Sequence, residues 1–130
     1  LESYMGFITG SAGEFSVAKN AYVATRSGWF SDRSVCYLAA GLPMVLQDTG
    51  VGSTVETGEG ILTFSDMDEA RDAILDLQHN YQKHSERARE LAYDVFSTDV
   101  TFPTMLYTIM ATTTKPRTVS ASETEEQRPG

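Results

Sequence analysis

At 130 residues the chain has room for one domain, with a core large enough to fold unaided. Its 41% hydrophobic and 22% charged residues are those of an ordinary globular protein, and a net charge of −8 speaks against a nucleic-acid binder, which needs clustered Lys and Arg to neutralise phosphates. One cysteine, Cys36, excludes an internal disulfide and a multi-cysteine zinc site, and the longest nearly apolar run, Tyr37 to Leu46, is about half a membrane span and is broken by Gly41 and Pro43.

Leu1 to about Ile8 reads as the end of a helix with Tyr4, Phe7 and Ile8 on one face. The start lacks the basic and apolar regions of a secretory signal, so we expect a cytoplasmic protein, and because its first residue, Leu1, is not Met we expect that an upstream segment was removed or never included. Thr9 to Glu14 is turn chemistry, and Phe15 to Asn20 reads equally as loop or short helix. Ala21 to Thr25 is expected to be a short buried strand, bounded by Ser27-Gly28.

Ser31 has the chemistry of a helix N-cap, with Asp32 in the first turn where negative charge suits the macrodipole. That helix should run to Ala40 and bury Val35, Leu38 and Ala39, with Cys36 a buried inert thiol; Gly41 fits a left-handed cap and Pro43 stops it. Met44 to Gln47 is a second strand, and the strand–helix–strand sequence is a βαβ unit with both sheet faces covered. Val51 to Glu59 is a loop, and Gly60 to Phe64 a third strand.

Ser65 with Asp68 reads as a capping box for a helix whose stripe is Met67, Ala70, Ile74, Leu77 and Tyr81. A further helix, about Ser85 to Phe96, should turn Ala88, Leu91, Ala92 and Val95 inward. The last, Val100 to about Met110, offers Phe102, Leu106, Ile109 and Met110 to the core, with Pro103 in its first turn. From Thr112 the composition has almost nothing to bury and predicts a disordered tail, leaving residues 1–111 as the folded part.

In an open α/β sheet ligands sit beyond the carboxyl ends of the strands. Two such ends, Thr25 to Arg33 and Asp48 to Thr54, are rich in Gly, Ser and Thr. Gly28 permits close approach of a ligand, the N–H groups at the start of the Ser31 helix suit phosphate oxygens, and Lys19, Arg26 or Arg33 would add charge-assisted contacts. Trp29 and Phe30 either offer rings for a base or sugar to stack on or merely cover the sheet edge. Other chemistries fit less well. Gly10 to Gly13 lacks the spacing of a nucleophile elbow, His79 and His84 lie among polar residues and read as solvated, and Asp66, Asp68, Glu69, Asp72 and Asp76 read as one solvated helix face. Asp48 ends a strand as a receiver-domain aspartate does, but no acidic pair precedes it.

The stretch Gly13 to Val23, then Ser27-Gly28-Trp29-Phe30-Ser31-Asp32-Arg33 through Leu38-Ala39-Ala40-Gly41, Pro43 and Gln47-Asp48-Thr49-Gly50, resembles bacterial glycosyltransferase-like proteins of the two-lobed GT-B type. The resemblance is specific over residues 13–50 and generic onward to about Leu106. It implies an α/β fold, a partial Rossmann-like parallel sheet with flanking helices, that forms the C-terminal part of the donor lobe. It further implies sugar transfer from a nucleoside-diphosphate sugar, with no cofactor and no obligatory metal. Lys19 and Arg33 would contact phosphates, Ser27, Gly28, Trp29, Phe30, Ser31 and Asp32 would form the nucleotide-facing loop, and Asp48, Thr49 and Gly50 would line the sugar side. Catalytic groups would come from an N-terminal lobe of the same protein, so this chain by itself is expected to be inactive. Many retaining members carry a Glu at the head of that helix and another eight residues on; here Gly28 and Cys36 hold those positions, Asp32 is the nearest acid, and Leu42 replaces a common basic residue. These departures keep open the alternative of a non-catalytic glycosyltransferase-like binding or interaction module.

Overall fold

Three short parallel strands form the sheet in a computed structural model that describes residues 2–113. The order is β1 (Glu14–Ser16), β2 (Met44–Gln47) and β3 (Ile61–Phe64), with Phe15 opposite Val45 and Val45 opposite Leu62. Strand β2 is central, and its Met44, Val45 and Leu46 are buried on both faces, as the continuous apolar run requires. The fold is therefore α/β with a small open parallel sheet.

Alternation along the strands sorts the core into two layers. Met44, Leu46 and Ile61 face α1 (Glu2–Thr9), α3 (Asp32–Ala39) and α5 (Tyr81–Phe96), meeting Ile8, Tyr37, Leu38, Ala88 and Leu91. Val45, Leu62 and Phe64 face α4 (Met67–His79), meeting Ala70 and Ala73. The same alternation sends Phe15 to the α4 side, where it stacks on Phe64 at 5.3 Å, and turns Glu14 toward α3.

Ala21 to Thr25 is not a strand. Asn20–Ala24 forms a short helix, α2, and buries none of its residues, while Glu14–Ser16 holds the sheet position beside β2. A five-residue apolar run has no periodicity to separate strand from helix, and the two alanines favour the latter. Helix α3 begins where expected: the Ser31 side chain accepts from the Arg33 N–H at 3.3 Å, and Gly41 adopts φ 73° after the C-cap. Its phase differs, since Ser34, Tyr37 and Leu38 are buried while Ala39 and Cys36 are exposed.

The capping box of α4 is shifted by one residue. Asp66, not Ser65, is the N-cap: its Oδ1 accepts from the Glu69 N–H at 2.9 Å, while the Glu69 carboxylate reaches back to accept from the N–H of the preceding residue, Ser65, at 2.7 Å. Met67 consequently points to solvent. Asn80 separates α4 from α5, which starts at Tyr81 rather than Ser85.

Helix α5 binds the body together. Ser85 Oγ donates to the Gly41 carbonyl at 2.7 Å, and the Gly60 N–H donates to Nδ1 of His84, which is buried rather than solvated. That bond fixes the proton of the neutral ring on Nε2, which lies 3.3 Å from Asp76 Oδ2 without hydrogen-bond alignment. Helix α6 (Thr98–Thr113) contacts α5, but Phe102, Leu106, Ile109 and Met110, expected to face the core, are exposed. It extends past the expected start of the tail, of which residues 114–130 lie outside the described residues. Among the described residues no helix is long and apolar enough to cross a membrane.

Candidate functional site

Because Ala21 to Thr25 is not a strand, Thr25 to Arg33 does not follow a strand end but joins α2 to α3, and this loop is tied to the loop after β2 by short polar contacts. Gly28, at φ 71°, donates its N–H to the Thr49 carbonyl at 2.8 Å, and the buried Thr49 hydroxyl donates to the Trp29 carbonyl at 2.8 Å. Asp48 is used twice: Oδ1 accepts from the Gly50 N–H at 2.7 Å and Oδ2 pairs with Arg26 Nη1 at 3.2 Å. Gly50 is at φ 85°, and a Cβ there would stand 3.1 Å from the Arg26 carbonyl. Arg26 itself has φ 47°, a left-handed conformation that is unusual for a residue with a side chain and is held by these contacts.

The structure thus brings Ser27, Gly28 and Trp29 beside Asp48, Thr49 and Gly50, and puts the head of α3 next to them. Trp29 is partly exposed and stacks on Tyr22, with ring centroids 5.0 Å apart. Phe30 goes the other way: it packs on the core and stacks on Phe96 at 5.4 Å, so its ring belongs to the fold. Ser31 uses its hydroxyl to cap α3, while Asp32 in the first turn and Lys19 before α2 are exposed.

Arg33 is held by a carboxylate. Its Nε and Nη2 donate to Glu14 Oε1 at 2.9 and 2.7 Å, and the Glu14 side chain is only 4% exposed against 50% for Arg33. Hydrogen bonding to Glu14, then its charge, raises the guanidinium pKa still further above its ordinary value, so Arg33 is cationic at every accessible pH. The second Glu14 oxygen, Oε2, is buried without a hydrogen-bond partner.

Two hollows lie on opposite sides of the Asp48–Gly50 segment. On the α3 side, Ser16, Trp29, Ser31, Ser34, Gln47 and Thr49 enclose about 10 Å³, room for about one water. A niche of this size does not admit a larger ligand. On the other side a polar cavity of about 250 Å³ is bounded by Arg26, Asp48, Gly50, Ser53, Thr57 and Thr63.

Sequence reasoning missed this second hollow. Its only trace in the sequence is the density of Gly, Ser and Thr in Val51 to Glu59, and Thr63 joins it solely because β3 pairs with β2. Among the described residues no cluster of three His, Cys, Asp or Glu is placed to hold a metal ion. No family model, no curated protein and no solved structure matches the chain.

Proposed function

We propose that the chain is the C-terminal part of the donor lobe of a glycosyltransferase and binds a nucleoside-diphosphate sugar at the carboxyl ends of β1 and β2. The observation that carries this reading is the start of α3 opening beside the tied loops 26–31 and 48–50. Unpaired N–H groups at a helix start, with the helix dipole behind them, favour phosphate oxygens. Lys19 supplies a cation, and Arg33 adds Nη1, which lies outside its pair with Glu14. The Trp29 face not stacked on Tyr22 takes the base, Asp32 takes the ribose hydroxyls, and Asp48, Thr49 and Gly50 line the sugar side. A second lobe supplies the acceptor and the catalytic groups, without an obligatory metal.

Two details favour the non-catalytic alternative: Arg33 is already committed to neutralising a buried carboxylate, and the acid pair of retaining enzymes is replaced by Gly28 and Cys36. A titration with uridine, guanosine and thymidine diphosphates separates the readings, because Trp29 is the one tryptophan in the chain and reports directly on a stacked base. Saturable quenching at micromolar nucleotide supports the donor lobe. Unchanged fluorescence with all three refutes it.

A further inference from the structure

The polar cavity beyond Asp48 has a composition that selects its occupant. The charges in its wall cancel, because Arg26 and Asp48 are paired with each other at 3.2 Å. An anion would meet the Asp48 carboxylate and a cation would meet the guanidinium, so neither gains from entering. Little apolar surface is left to drive binding of a hydrophobic ligand, since the remaining wall is Gly50, Gly52, Ser53, Thr57 and Thr63.

What the wall does offer is hydrogen bonding of both senses. Asp48 uses one Arg26 N–H and leaves the rest of that guanidinium fork as donors. Ser53 donates to the Gly50 carbonyl at 2.9 Å and keeps its acceptor lone pairs. Among the described residues the hydroxyls of Thr57 and Thr63 have no protein partner and serve as donor or acceptor. The wall is also set in advance: Gly50 at φ 85° and Arg26 at φ 47° interlock, and the Asp48 carboxylate is fixed by the Gly50 N–H. A preformed wall spares a ligand the entropy of ordering it. At about 250 Å³ the cavity falls below the range of pockets for drug-sized ligands and matches a single small ring.

We propose that this cavity is a binding site for an uncharged, polyhydroxylated molecule of monosaccharide size, recognised by Arg26, Ser53, Thr57 and Thr63. The cavity shares Asp48 and Gly50 with the sugar side of the proposed donor site, but recognition by Arg26, Ser53, Thr57 and Thr63 is read with free sugar and no nucleotide, so it can fail or hold whether or not nucleotides quench Trp29.

The test is a titration of the 130-residue chain with D-glucose, D-galactose and inorganic phosphate, followed by amide chemical shifts. Saturable shifts with either sugar, confined to Gly50, Gly52, Ser53, Thr57 and Thr63, are expected. Arg26→Gly suits the positive φ and so keeps the fold while removing the guanidinium; it should weaken sugar binding about tenfold, the worth of one hydrogen bond. Thr57→Val should do the same without touching charge. The proposal is overturned by absence of sugar shifts at these amides, by phosphate shifting them in place of sugar, or by undiminished sugar affinity in both variants.

Discussion

Replacing Arg33 by Ala should destabilise the chain before any ligand is considered. Glu14 would be left with a side chain 4% exposed, one oxygen already unpartnered and the other stripped of two donors at 2.9 and 2.7 Å. Removing one member of a buried ion pair typically costs about 3–5 kcal/mol. Arg33 is half exposed, so water enters where it stood, and the low end, about 3 kcal/mol, is the expected loss. With a urea slope of about 1.5 kcal/mol per M, the unfolding midpoint falls by about 2 M. Adding Glu14→Gln to that variant replaces the stranded charge by a neutral amide and should restore at least half of the loss. A midpoint shift in Arg33→Ala below about 0.5 M, or a double variant no more stable than the single, refutes the view that Arg33 is structural. Nucleotide affinity measured on the Glu14→Gln/Arg33→Ala chain then reports the direct contribution of Arg33 to binding.

Gly60→Ala should lower stability by about 3 kcal/mol, since φ is 75° and the new Cβ would fall 2.8 Å from the Ala88 backbone nitrogen. Gly58→Ala, at φ 109° with nothing within 4 Å, is the control and should cost about 1 kcal/mol, both read from thermal midpoints. Lys83 lowers the Glu59 pKa through a hydrogen bond at 2.6 Å and its charge. A carboxylate whose folded pKa is depressed contributes stability that is present above its unfolded pKa and lost as pH falls through the folded value. The Lys83→Ala chain should therefore lose less stability than the wild type on acidification through that window, and salt should shrink the difference.

Local signals made part of this fold legible and left the rest hidden. Ser31, Gly41, Pro43 and the run Met44 to Gln47 each act within a few residues, and the helix and strand they define stand where the sequence puts them. Strand β1 was concealed because Glu14, a residue disfavoured in strands, begins it, and its compensating partner Arg33 lies nineteen residues on. His84 looks solvated beside Lys83 and Glu86, yet α5 carries it against Gly60, a contact across 24 residues that no window reveals. In the candidate site, glycines and hydroxyls marked both loops. Their partition into a niche and a cavity depends on the φ values of Arg26 and Gly50, and the commitment of Phe30 to the core depends on Phe96, far along the chain.

The ties made by α5 bear on the order in which the chain acquires structure. Strands β2 and β3 are joined by residues 48–60, which contain a single 3-10 turn and no α-helix, so the connection covers the sheet only through Val51 and Val55. Ile8, Tyr37 and Leu38 supply part of the remaining cover, and Ala88 and Leu91 complete it from later in the chain, with His84 and Ser85 closing the backbone groups of Gly60 and Gly41. Before α5 is added, that face has only part of its cover, and the backbone groups of Gly60 and Gly41 lack these partners. Full consolidation of this face is therefore expected only once α5 is available, and until then the strand edges are less protected from other chains.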